Sequence, residues 1–227
     1  LVPVYERFFL KYVDCVVVLN PKIKSLYLNI YSSILTENKI KIIEQGFNGS
    51  VSEKFKINPT SSQVFIVYAG SFVAGLREPF ELYSALEFME FACKLHLYGN
   101  ISQTYLPNNK TVNYEYHGTI NQTDLFEVYS NADLVVLIDN KNGYQVPGKT
   151  LELAALKKPV LFLYEDEDSP TLYYVNKITS FFKIKNEKNE IIKFLESFRV
   201  GEILPNYDYN IDEYSWRSLA KDYFNFS

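Results

Sequence analysis

Cysteine is scarce in this chain, with 2 among 227 residues. Cys15 lies in an apolar, strand-like run and Cys93 just before another, so both read as buried thiols of a reducing compartment rather than as a disulfide. Also missing is a basic excess. The net charge is −4, and no basic cluster interleaved with aromatics offsets it, which argues against nucleic acid as a partner. No apolar run reaches bilayer-spanning length and no signal-peptide pattern opens the chain, so a cytoplasmic location is expected. The sequons at Asn48, Asn100, Asn109 and Asn121 carry no meaning in a cytosolic protein. The sole methionine is Met89 and the first residue is Leu1, from which we expect the chain to start inside a longer protein. Several chemical signatures are lacking as well. There is no G-x-G-x-x-G fingerprint, no Walker loop, no G-x-S-x-G elbow and no His/Cys cluster with zinc spacing.

Aromatics, in contrast, are plentiful, with 19 Tyr and 17 Phe. Hydrophobic residues make up 47% and charged residues 22%, the balance of a globular protein with room for one large domain, or one and a smaller piece. From Val64 onward, short apolar runs alternate with helical patterns, which predicts an α/β fold with a doubly wound parallel sheet covered on both faces. The predicted strands are Val64–Ala69, Lys94–Tyr98, Val112–His117, Leu134–Ile138, Val160–Leu163 and Phe181–Ile184. Predicted helices are Pro79–Glu90, Gln122–Ser130, Pro147–Leu156, Pro170–Asn176, Glu187–Phe198 and Asp212–Phe226. The opening stretch offers a helix near Tyr5–Tyr12, a strand Cys15–Leu19, a helix after Pro21 and a strand Lys39–Ile43. Two strands cannot build a covered sheet alone. Residues 1–50 therefore read as the end of an incomplete domain, 51–62 as a linker, 63–204 as the main domain and 205–227 as a closing helix.

In open α/β sheets ligands sit beyond the carboxyl ends of the strands, so the strand-to-helix turns are the places to search. The richest is Gln145-Val-Pro-Gly-Lys-Thr-Leu-Glu152. With Pro147 in a first helical turn, Lys149 sits where the dipole disfavours a cation unless an anion shares the site. Glu152, one turn on, shares its face. The pair suits a nucleotide diphosphate, with lysine on phosphate and glutamate on ribose hydroxyls; a plain surface Lys–Glu pair is the alternative. After the first strand, Gly70 permits close backbone approach and Arg77 can clamp a phosphate, or both are ordinary loop residues. Gly99 and Gly118 stand at two further strand exits, leaving room for a planar base. His117 is either a diphosphate or sugar contact or a structural hydrogen-bonder, and His96 reads as filler within its strand. Asp166 and Asp168 raise the question of a metal-bound nucleotide, but Asp168-Ser169-Pro170 reads better as a capped helix start.

The order of these pieces resembles a known family. Val67-Tyr-Ala-Gly-Ser71 with Arg77, Leu95-His-Leu-Tyr-Gly99, Tyr116-His-Gly-Thr-Ile120 and Pro147-Gly-Lys-Thr-Leu-Glu152 with Lys158-Pro-Val160 are similar to the donor-binding half of retaining GT-B glycosyltransferases, nearest to family 4 ("group 1"). Tyr12–Leu19 and Ile42–Gly46 resemble the last strands of that family's N-terminal, acceptor-side domain, and Tyr214-Ser-Trp216 the start of its closing helix. The resemblance implies a Rossmann-like C-terminal half that binds a nucleotide-diphosphate sugar and transfers the sugar to a glycan or lipid-linked acceptor with retention. It implies Arg77 and Lys149 as the catalytic contacts to the diphosphate and Glu152 as the ribose ligand. Gly70 and Ser71 would lie against the phosphates, and Gly118 to Ile120 would line the base pocket. Gly99, His117 and Thr150 join the donor site, and the loop Asn142–Val146, with Tyr144 and Gln145, would face the sugar. It implies no cofactor and no required metal, and peripheral membrane association of a full-length enzyme. One departure is Tyr144, where family members commonly carry glutamate. A GT-B nucleotide-sugar epimerase and a non-catalytic nucleotide-sugar-binding domain remain alternatives. Without its acceptor half the piece is expected to transfer nothing.

Overall fold

The computed structural model describes residues 2–47, 63–107, 112–141, 143–199 and 201–224. The predicted linker 51–62 lies outside the described residues. The chain divides into two compact units, Leu1–Gly49 with Asn210–Ser227, and Ser50–Tyr209.

The first unit opens with α1 (Val2–Tyr12), β1 (Val16–Val18), α2 (Pro21–Ile30) and β2 (Ile40–Ile42). Its two strands pair in parallel, Val16 opposite Ile40. The start of α2 is fixed locally: Asn20 accepts the Ile23 amide at 3.0 Å, and Pro21 occupies a position that needs no N–H. Leu10, Val18, Tyr31, Leu35 and Ile40 form a small core.

The second unit runs β3 (Val64–Ala69), α3 (Phe80–Leu86), β4 (Cys93–Tyr98), β5 (Tyr114–Gly118), α4 (Gln122–Asn131), β6 (Leu134–Ile138), α5 (Thr150–Ala155), β7 (Val160–Tyr164), α6 (Pro170–Val175), β8 (Phe181–Lys185) and α7 (Lys188–Arg199). Its strands form one six-stranded sheet of order β5-β4-β3-β6-β7-β8, every neighbouring pair parallel. Side chains alternate between faces. On one face Ile66, Leu95, Leu97, Leu134, Val136, Leu161 and Leu163 pack with Leu82 and Leu86 of α3 and Ile191, Phe194 and Leu195 of α7. Their neighbours Val67, Val135, Leu137 and Phe162, pointing the other way, are buried too. A sheet covered on both faces explains why the strands read as near-continuous apolar runs. The sequence order of strands reverses between β3 and β6, which makes their C-terminal ends the switch point where a crevice opens.

The chain closes in the first unit with a short 3₁₀ turn, Ile211–Tyr214, and α8 (Trp216–Phe224). A single helix over Asp212–Phe226 was expected. Ser215 breaks it: its backbone is extended and bridges Phe47, while its Oγ accepts the Ser218 amide at 3.2 Å and so caps α8. The expected end at Phe226 lies outside the described residues. Gly46 in the exit Gln45–Gly49 has a packing reason, since a Cβ there would stand 2.6 Å from the Trp216 ring.

The strand expected over Val112–His117 runs Tyr114–Gly118, and two helices moved by three residues or more. The helix expected over Pro79–Glu90 stops at Leu86, beyond which Phe88 and Met89 make tighter bonds to Ala85 and Leu86. The helix expected over Pro147–Leu156 begins only at Thr150. Pro147 instead opens a turn, its carbonyl accepting both the Thr150 amide (3.0 Å) and the Thr150 Oγ1 hydroxyl (2.7 Å). Lys149 is thus the residue before a six-residue helix rather than a member of its first turn. Among the described residues no helix is long and apolar enough to cross a membrane.

Candidate functional site

Three backbone loops meet at the C-terminal rim of the β4-β3-β6 strands. The Gly70 amide bonds the Tyr98 carbonyl at 2.9 Å, and the Gly99 amide bonds the Gly118 carbonyl at 2.7 Å. A Cβ at Gly99 would lie 2.3 Å from the Gly70 oxygen, so this close approach requires glycine there. The loop after β3 is folded on itself by paired bonds between Val73 and Arg77, and its Leu76 carbonyl accepts the Lys141 amide from the loop after β6 at 2.8 Å. The switch point is therefore walled by well-bonded backbone.

Lys149 enters this crevice from the loop before α5. Its Nζ donates to the carbonyl of Ala69, the last residue of β3, at 2.9 Å. One N–H is used there and two donors remain. Burial pushes the Lys149 pKa down, Glu152 opposes that shift and Arg77 adds to it, which puts both charged groups within electrostatic reach of the ammonium. Half-buried Glu152 has its own pKa raised by burial, with Lys149 opposing. Its Oε1 accepts a long bond, 3.4 Å, from Gln122, the first residue of α4. Arg77 is held by its Nε, which donates to the Ser71 carbonyl at 3.1 Å; Tyr68 Oη donates to the same oxygen at 3.2 Å. The structure thus gathers Gly70, Ser71, Arg77, Lys149 and Glu152 around the end of β3.

Other predicted residues fall differently. Thr150 is buried with its hydroxyl spent on Pro147, so its side chain supports the turn. Tyr144 and Gln145 are exposed, and the Gln145 carbonyl accepts from Asn140 Nδ2 at 3.1 Å. Asn142 lies outside the described residues. Half-buried Ile120 and Gly118 form the link from β5 to α4, and Gly118 has φ near +74°, a conformation suited to glycine. The His117 ring, one residue before the end of β5, stacks on Tyr98 at 4.4 Å and lies within 2.9 Å of His96. His96 is accordingly a partner of His117 and not filler.

One cluster escaped the sequence reading. Buried Asp139, the first residue after β6, accepts the hydroxyls of Ser169 and Thr171, the latter at 2.7 Å. Burial raises its pKa, and the bonds from Ser169, Thr171 and the Asn140 amide oppose that rise. Ser169 also caps α6 as expected, through the Thr171 amide. The available signal was a lone carboxylate directly after five apolar strand residues.

No protein-family model matches the chain, and no curated protein matches its sequence. Solved structures do. The lipopolysaccharide outer core galactosyltransferase WaaB superposes with a TM-score of 0.68 at 13% identity, over 94% of this chain and 61% of WaaB. HepE of Anabaena, solved with UDP-glucose, gives 0.65 at 12% identity over 93% of this chain and 63% of its own. The chain has the Rossmann-like fold of a GT-B C-terminal half. Methanocaldococcus jannaschii UDP-GlcNAc 2-epimerase, solved with UDP-GlcNAc and UDP, is also similar, at 0.52 and 14% identity over 92% of this chain and 59% of that one. The chain spans about three-fifths of the length of each of these proteins.

Proposed function

We propose that the unit Ser50–Tyr209 is the donor-binding half of a retaining, family 4-like glycosyltransferase that takes a sugar from a nucleotide diphosphate. The observation that carries this reading is Lys149 Nζ held on the Ala69 carbonyl at the switch point, with Glu152 and Arg77 within electrostatic reach. A half-buried ammonium with two donors to spare is a ready partner for a diphosphate, and the anion would offset its desolvation. Arg77 supplies a second cation. Together they stabilise the leaving diphosphate as charge develops on it, which is where such groups accelerate transfer. Glu152 accepts hydrogen bonds from ribose hydroxyls, Gly118 to Ile120 border the base, and Gly70, Ser71 and Gly99 let backbone approach the phosphates. Tyr144 and Gln145 would face the transferred sugar. The solved relatives that carry UDP-glucose or UDP-GlcNAc support a nucleotide sugar as partner. The acceptor, a glycan or lipid-linked sugar, would be recognised outside this unit, in a cytoplasmic protein able to work at a membrane surface.

Calorimetry with UDP, GDP and their sugars tests the reading. Charge-assisted hydrogen bonds contribute roughly 1.5–3 kcal/mol each, so Lys149→Ala and Glu152→Ala are each expected to weaken binding about 10- to 150-fold. Equal binding by both variants and the native protein removes these residues from the site. Retention is tested by the anomeric configuration of product made by the full-length protein. An epimerase is the second reading, favoured by the likeness to the archaeal 2-epimerase. It predicts C2 inversion of UDP-GlcNAc without any acceptor.

A further inference from the structure

We propose that His96, His117 and Glu115 form a binding site for a divalent transition-metal ion of the zinc or nickel class, on the face of the β4–β5 sheet edge. Glu115 and His117 are two apart on β5 and so share a face, and His96 on β4 is the direct cross-strand partner of Glu115. One ligand atom from each residue lies within 4.8 Å of the other two. The facing nitrogens, His96 Nδ1 and His117 Nε2, are 2.9 Å apart. Two imidazole nitrogens at about 2.05 Å from one ion, about 90–110° apart, stand about 2.9–3.4 Å from each other, so the spacing suits a chelate. The rings, within 10° of parallel and 5.1 Å apart at their centroids, aim these nitrogens at one another, and each ring swings for its lone pair to reach a shared ion. Two imidazoles and a carboxylate are a donor set that suits zinc and nickel, with water completing the coordination.

Aromatic neighbours keep the two rings together on this face. Phe65 of β3 meets the His96 ring edge-on at 4.3 Å, and Tyr98 stacks on His117 at 4.4 Å. The site is reachable from solvent, because the Glu115 side chain is 47% exposed and that of His117 27%. One group competes: Lys94 Nζ pairs with Glu115 Oε2 at 2.5 Å. The other oxygen, Oε1, lies 3.9 Å from His117 Nδ1, the ring nitrogen that does not face His96, and is the arm that the Lys94 pair leaves for a metal. Because β5 is the sheet edge and, among the described residues, pairs with β4 alone, an ion here would clip the edge strand to its neighbour just before Gly118–Ile120.

The test is thermal unfolding of the whole chain, in a phosphine reductant, with Zn2+ or Ni2+ at about 100-fold over the Kd measured by calorimetry. A rise of about 5–10 °C is expected for the native protein. His117→Ala and His96→Ala should each lose the rise while keeping the native far-UV spectrum without metal. Lys94→Ala frees Glu115 and should tighten metal binding several-fold, a gain that loss of folding cannot mimic. No metal-dependent rise in the native protein, or an equal rise in both histidine variants, overturns the site and leaves a His–His hydrogen bond. Nucleotide binding is read separately, so its failure would leave this result standing.

Discussion

The two units of this chain use similar apolar sequence to opposite effect. In the Ser50–Tyr209 unit, the strands disappear: Ile66, Val67, Leu134, Val135, Leu161 and Phe162 are all at 0% exposure. In the other unit, Tyr5, Phe8, Phe9 and Tyr12 of α1 are each more than half exposed, and the sheet among the described residues has two strands. Hydrophobic content is thus a poor guide to burial. What decides is the number of layers available, since six strands offer two coverable faces and two strands scarcely offer one. The small unit also carries polar links. Glu6 accepts the hydroxyls of Tyr27 (2.6 Å) and Tyr31, and Lys39 Nζ donates to the Leu10 carbonyl at 2.9 Å.

The sharpest way to break this contrast is a pair of truncations. Phe162→Ala empties the centre of the large sheet and should cost roughly 3–5 kcal/mol in urea unfolding. Phe8→Ala, on the open face of α1, should stay within about 0.5 kcal/mol. Comparable losses for the two would mean that the aromatic face of α1 is not the solvent-facing surface described above.

Glycines give a subtler version. Gly99 and Gly46 would both clash as alanine, but with different neighbours. At Gly99 the obstacle is the Gly70 carbonyl, 2.3 Å away, on a backbone whose φ of +126° disfavours any side chain. At Gly46 it is the Trp216 ring, itself 45% exposed and free to shift. Gly99→Ala should therefore cost about 1–3 kcal/mol and weaken nucleotide binding through the distorted rim. Gly46→Ala should cost less, and should change the fluorescence of Trp216, the single tryptophan of the chain. The reverse ranking would show the rim to be softer than its hydrogen bonds suggest.

How much of this was readable in advance depends on distance along the chain. The inner strands were legible because they are short apolar runs bounded by turn residues, and Leu134–Ile138 falls where expected, whereas the polar edge strand Tyr114–Gly118 was placed two residues early at its start. Lys149 and Glu152 could be paired because three residues on a helical segment set their relation. The start of α5 was misplaced because Pro147 fits a first helical turn and a preceding turn equally well, and the Thr150 hydroxyl decided between them. Asp139 with Ser169 and Thr171, and His96 with His117, are joined across strands. Nothing local announces such contacts; only the register of β4 on β5 and the order of β6 and β7 create them.

The smallest expected effect is also the one with opposite signs in the two units. Hydrogen bonds from Tyr27 and then Tyr31 hold the Glu6 carboxyl below its usual range. Its contribution is complete above the unfolded value of about 4.3 and is lost as pH falls through the lower folded value. Asp139 runs the other way. Burial raises its folded pKa, so the folded state keeps a proton that the unfolded state releases above about 3.9, and stability declines as pH rises through that window. Acidification should therefore loosen the small unit at Glu6 while easing the buried carboxylate of the large one. Two urea series between about pH 3 and 6 separate them, one followed by Trp216 fluorescence and one by the far-UV signal that the large sheet dominates. Glu6→Gln should flatten the acid loss seen at Trp216 and leave the far-UV series unchanged. If Glu6→Gln instead alters both series alike, the two units are not distinct in their response to protons.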